Sequence, residues 1–91
     1  LGSFSVIGSE KILDNTLITL INSGLECSNQ GVDTSLGCIG NTSSCTMETT
    51  FECVDDEGVT KATVVKTERA KHEGNYLVAK EVLKVETTFD N

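Results

Sequence analysis

The chain has 91 residues and a formal net charge of −7. Its seven Lys and Arg against fourteen Asp and Glu argue against nucleic acid or an anionic membrane surface as a partner, since both demand clustered cations. Length allows a single domain spanning 1–91, and with three Phe, one Tyr and no Trp its core must be thin, so covalent staples gain weight.

From the N-terminus, Ser3 to Ile7 alternates in polarity, which fits a short edge strand ended by Gly8. Ser9 to Ser23 reads as a helix. Ser9 suits the N-cap and Glu10 the first turn. Leu13, Leu17, Leu20 and Ile21 recur at spacings of three and four, a single apolar stripe. Gly24 stands where a left-handed residue closes a helix. The β-branched Thr16, Ile18 and Thr19 oppose helicity and leave a strand over Thr16 to Ile21 as the rival.

Leu25 to Ser44 has the composition of a loop, with four of the eight glycines between Gly24 and Gly40. So long a segment without structure is uncommon in a compact domain, and cysteines are the means of holding it. Its candidate partner-binding residues are Asn29, Val32, Leu36 and Ile39. The last three are apolar in polar surroundings, so each either packs beneath the loop or meets a partner. Asn41-Thr42-Ser43 is a glycosylation sequon, a short pattern that also occurs by chance.

Thr46 to Phe89 reads as an antiparallel meander of three strands. A turn at 55–58 places Val54 opposite Val59, Phe51 opposite Ala62 and Thr49 opposite Val64. A turn at 72–75 places Lys71 opposite Tyr76, Ala62 opposite Val85 and Val64 opposite Leu83. Leu77, Ala79, Leu83, Val85 and Phe89 then share the apolar face. Glu52, Lys61 and Glu86 form a charge ladder on the other face, and Lys66 meets Glu81 on the first. A helix over Tyr76 to Lys84 is the alternative, because short apolar runs fit both periods. The fold expected is therefore α+β, with one N-terminal helix packed on a three- or four-stranded antiparallel meander stapled by two disulfides.

Cys27, Cys38, Cys45 and Cys53 are spaced by 11, 7 and 8 residues, which lacks the close pairs of zinc or redox motifs. Disulfides and an oxidising, extracytoplasmic compartment (secreted, periplasmic or cell surface) follow from such a count in so short a chain. A continuous strand would hold Cys45 and Cys53 on the order of 25 Å apart at about 3.3 Å per residue, beyond the reach of about 7 Å for bridged Cα atoms. Cys27–Cys53 with Cys38–Cys45 is the preferred pairing, and Cys27–Cys45 with Cys38–Cys53 the rival. The chain opens on Leu1 with no apolar run long enough to span a bilayer, which leads us to expect an export signal or anchor removed upstream.

Reactive groups are sparse. His72, the single histidine, falls in an expected turn without a nucleophile to activate. Asp55-Asp56-Glu57 offers hard oxygens for calcium, but too short a loop to wrap the ion. Gly37-Cys38-Ile39-Gly40 lacks the rest of a phosphate loop. No catalytic residue, metal or cofactor is expected. The functional expectation is a non-catalytic binding module of inhibitor or effector type, presenting a disulfide-held loop to a protein partner, and a basic one if the net charge does more than confer solubility. The alternative is a structural subunit of a surface assembly with a pilin-like globular domain, an analogy of architecture alone.

Overall fold

A computed structural model describes residues 2–6, 10–34, 44–73 and 76–90, by backbone alone at 2–6, 33, 34, 44, 72 and 77. In chain order the elements are β1 (Gly2–Val6), α1 (Glu10–Asn22), β2 (Glu26–Thr34), β3 (Ser44–Val54), β4 (Thr60–Glu73) and β5 (Tyr76–Phe89). The strands form one antiparallel sheet in the order β1-β5-β4-β3-β2. The expected helix, meander and N-terminal edge strand are all present. The sheet has one strand more than expected, because Glu26–Thr34, read from its composition as loop, is β2.

The meander keeps its apolar face but not its expected register. The first hairpin closes with Val54 opposite Thr60, and Lys61 then bulges out, so Phe51 faces Val64 and Cys53 faces Ala62. Loop and bulge each displace the pairing by one residue, and two such steps restore the facing. The second hairpin runs further than expected: His72 and Glu73 belong to β4, with Glu73 opposite Tyr76. Bulges at Val78 and Leu83 of β5 carry the pairing on to Val64↔Thr87 and Ala62↔Phe89. Between those bulges the facing of β5 is inverted. Val82 joins the core in place of Leu83, and Ala79 is exposed. The expected charge contacts dissolve with the register. Glu52 faces Thr63, Glu86 faces Val65, and Glu81 faces Arg69 rather than Lys66.

The helix ends as its sequence requires. Gly24 takes φ +101°, the Leu25 amide donates to Leu20 O at 3.2 Å and the Gly24 amide to Ile21 O at 3.0 Å. This is the paired 6→1 and 5→2 closure that a left-handed glycine permits. Leu13 and Leu20 are buried against Cys53, Ala62, Val64 and Val85, with Ile12, Leu17, Leu25 and Phe51 around them. Ile21, expected in the stripe, is 51 % exposed. The helix is rolled so that Ile12 packs instead, and Glu10 falls one turn before Leu13 on the same stripe. Ser9, the expected N-cap, lies outside the described residues.

That roll aims Glu10 at the sheet. Its Oε1 accepts a hydrogen bond from Lys66 Nζ at 2.8 Å. Lys66 Nζ also lies 3.3 Å from Glu68 Oε1, and Glu68 Oε2 lies 3.4 Å from Lys80 Nζ. The second contact is one of charge, since Oε2 receives no hydrogen bond. Glu68 is only 2 % exposed. Burial alone would lower the Lys66 pKa, but hydrogen bonds to Glu10 and Glu68, with their charges, outweigh it and hold the ammonium above its ordinary value. The folded state therefore binds this proton more tightly than the unfolded chain. The stabilisation is complete below the ordinary lysine value of about 10.4 and is lost as pH climbs through the higher folded value.

Two substitution tests follow. Leu20→Ala should destabilise by about 2–5 kcal/mol, as a buried leucine does, while Ile21→Ala should stay within about 0.5 kcal/mol; equal losses in urea unfolding would place both on the core. Lys66→Met should cost about 3 kcal/mol by stranding the Glu68 carboxylate, and Lys66→Met/Glu68→Met should recover most of that loss. A double variant no more stable than the single one would show that the carboxylate was not the cause.

Candidate functional site

The residues singled out for recognition start on β2, at one edge of the sheet. Glu26–Thr34 (ECSNQGVDT) lacks apolar alternation and is held as a strand by what it pairs with. Cys27 sits directly opposite Cys53, with Cα atoms 4.0 Å apart, and the two are joined by a disulfide. This is one of the two bridges of the preferred pairing, a cross-strand clamp between β2 and β3, with Cys53 fully buried beneath the helix. Cys45 is buried against Ala70 in a second, smaller cluster with Met47 beside it. No described cysteine is a free thiol. Cys38 lies in 35–43, outside the described residues, so Cys27–Cys53 is the one bridge placed.

Past the clamp, β2 bulges at Gln30. Gly31 adopts φ +124°, a region L side chains avoid, and its amide donates to Asn29 Oδ1 at 2.7 Å. Gln30 Nε2 donates to Ser28 Oγ at 2.8 Å. Asn29 is thus exposed with its carbonyl engaged in shaping the bulge. Pairing resumes with Val32 opposite Thr49, and Val32 is left 56 % exposed. Gln30, Gly31, Val32 and Thr50 border a shallow hollow. Leu36 and Ile39, with the Asn41 sequon and the 37–40 glycine pair, lie outside the described residues.

A further signal was legible in the chain and is easily missed beside the net charge. Residues 12–60 contain eight Asp and Glu and no Lys or Arg. On the fold this stretch supplies β2 and β3. Six of the seven cations lie on β4 and β5, Lys61, Lys66, Arg69, Lys71, Lys80 and Lys84. The sheet is therefore acidic at its β2 side, with Glu26 and Asp33 on the edge strand and Glu48 and Glu52 on its neighbour.

The remaining candidates are structural. Asp55 closes the first hairpin: its Oδ1 accepts from the Glu57 amide at 2.9 Å and the Val59 amide at 3.0 Å, and its Oδ2 lies 3.8 Å from Lys61 Nζ. Gly58 completes the turn at φ +80°. An oxygen so engaged is committed to the backbone. His72 is placed on β4, opposite Leu77, not in a turn. Among the described residues no group of three or more His, Cys, Asp or Glu is gathered as metal ligands would be, and no helix is long and apolar enough to cross a membrane.

Comparison of the chain with protein-family models, with curated proteins and with solved structures finds no match.

The Asp55 turn yields a titration. The hydrogen bond from the Val59 amide, then that from Glu57 and the nearby Lys61 charge, hold the carboxyl below its ordinary value against a partial offset from burial. The turn's contribution is therefore present above the ordinary aspartate value of about 3.9 and is lost as pH falls through the lower folded value. The amide resonances of Glu57 and Val59 should shift together with a midpoint below that value. A midpoint at or above it would mean the carboxylate is not held by these amides.

Proposed function

We propose that this chain is a non-catalytic, extracytoplasmic protein-binding module that meets its partner along the β2 edge and the segment after it. The observation that carries the reading is the edge itself. No described strand pairs with the outer side of β2, and Val32 stands half exposed beside the Gly31 bulge. An open edge of this kind takes an extended segment of another protein by backbone pairing, with side-chain hollows adding selectivity. Cys27–Cys53 supports it by fixing one end of the strand in advance, which lowers the ordering cost of binding. A second bridge, Cys38–Cys45, would restrain the segment after β2 in the same way. The acidic β2–β3 side favours a basic partner, and the Lys and Arg content speaks against nucleic acid. The disulfide is consistent with an extracytoplasmic location.

The pilin-like reading, a subunit of a surface assembly, draws on a different edge. Residues 76–84 of β5 pair with β4 on one side and with no described strand on the other.

Val32→Ala and Val32→Asp separate these readings from plain packing. As an exposed edge residue, Val32 should change stability by no more than about 0.5 kcal/mol when cut to Ala. Affinity for a partner recovered from extracellular or envelope fractions should fall, most steeply with Asp, and should weaken as salt rises. A partner bound equally by all three proteins would remove the β2 edge from recognition. A lowered melting midpoint for Val32→Ala would make the residue part of the core. Self-association blocked by substitutions at Val78, with binding elsewhere unaffected, would favour the assembly subunit.

A further inference from the structure

Two stretches of sheet edge have no partner strand among the described residues, and they are equal in length. β2 pairs with β3 on one side alone. Of the 14 residues of β5, five pair with β1, which leaves nine at 76–84, as many as β2 has. Such edges are templates for another strand, and charged side chains along them are the usual guard against wrong pairing. Here the two edges carry opposite charge. β2 has Glu26 and Asp33 and no cation, whereas 76–84 has Lys80 and Lys84 against Glu81. Pairing β2 with β2 brings acids together. Pairing β2 with 76–84 brings acids to lysines, which is the favourable arrangement across strands.

We propose that the occupant of the β2 edge is a second copy of this chain, whose residues 76–84 pair antiparallel with β2 so that one sheet runs on through successive molecules. The inference rests on the reading of β2 as a binding edge and names its partner. Each strand is antiparallel to the next, so β2 and β5 run in opposite directions. Joining β2 of one copy to β5 of another therefore keeps both in the same orientation, with α1 on the same face. A free edge remains at each end, as in any head-to-tail contact that does not close. The register follows from facing. Glu26 and Lys84 both point away from the helix, since their neighbours Cys27 and Val85 pack on the side it covers. With these two opposite each other and the bulged residues Gln30, Val78 and Leu83 set aside, Cys27 falls opposite Val82, Asn29 opposite Lys80 and Gly31 opposite Ala79. The members of every pair then share a face. The pairing begins at Lys84 because Val85 is already taken by Val6 of β1.

The test is sedimentation of the native, disulfide-bonded protein over a range of concentrations. Each copy carries −7, so salt relieves general repulsion while it screens the Glu26–Lys84 pair, and exchange of charges is the cleaner readout. The wild type should grow with concentration through dimers to longer chains of no preferred size. Glu26→Lys and Lys84→Glu should each weaken association about fivefold by opposing like charges, although Glu26→Lys reduces the net charge from −7 to −5. Glu26→Lys/Lys84→Glu on one chain should restore it. Val32→Asp blocks β2 and Val78→Asp blocks β5; each alone should stay monomeric, and their mixture should form mixed dimers and nothing larger. A wild type monomeric up to about 1 mM overturns the proposal. So does a charge-exchanged chain that associates no better than the single variants, or a dimer formed by either blocked variant alone, which is a symmetric contact. If the Val32 or Val78 variant fails to fold, the charge variants decide the matter. A monomeric wild type whose recovered partner is lost with Val32→Asp overturns self-pairing alone. Partner binding and sedimentation both indifferent to Val32→Asp overturn the β2 edge with it.

Discussion

The unbroken pleat of β4 from Ala62 onward is the constraint on which the other elements rest. It is hydrogen-bonded on both sides and, past the Lys61 bulge, runs without a bulge of its own, as does its neighbour β3. Its even-numbered residues, Ala62, Val64, Lys66, Glu68 and Ala70, are all buried, and the residues between them are not. The irregularities sit on its neighbours: Leu83 and Val78 on β5, and Gln30 on β2 two strands away. A straight reference strand lets flanking strands of unequal fit slip by single residues without turning the apolar face outward.

What covers that face is a thin layer. The largest fully buried side chains are Val64, Val85, Thr87 and Cys53, small residues that give a helix modest area to hold. The amphipathic stripe of α1 is therefore supplemented by contacts of other kinds. Glu10 extends the stripe as a charge and reaches Lys66, which in turn neutralises a carboxylate buried on the same strand. Buried ion pairs add little net stability over well-packed hydrocarbon, but they do discriminate among arrangements, because a helix rolled by one position would take Glu10 away from Lys66 and leave that ammonium with Glu68 alone. The observed roll, with Ile12 in and Ile21 out, is the one that brings Glu10 to Lys66.

The legible parts of this chain were those with a local chemical cause. Gly24 and Gly58 announced a helix end and a turn, the Leu13–Leu17–Leu20 spacing announced a helix, and strand geometry disfavoured Cys45–Cys53 and so left Cys27–Cys53 among the surviving pairings. Bulges at Lys61, Val78 and Leu83 left no such mark, since these side chains are compatible with an ordinary ladder and the extra residue is set by neighbouring strands. The strand β2 was illegible for a related reason. Ser28, Asn29, Gln30 and Gly31 have poor strand propensity, and its order comes from a disulfide and from β3. The candidate site was partly legible: Val32 stood out as an apolar residue in a polar segment, whereas the groove between α1 and β5 exists only once those elements are brought together.

The position of the Cys27–Cys53 clamp has a consequence for how the molecule keeps its identity at high concentration. An edge strand with weak intrinsic preference, reached through a short connection from a helix, is the kind of element that molecules exchange with one another, each lending its strand to a neighbour's sheet. Here the first residues of β2 are covalently fixed to the same molecule's β3, so the strand cannot be lent. Oxidation thereby makes the fold private to each chain, and reduction would reopen strand exchange as a route to dimers while β3, β4 and β5 stay paired.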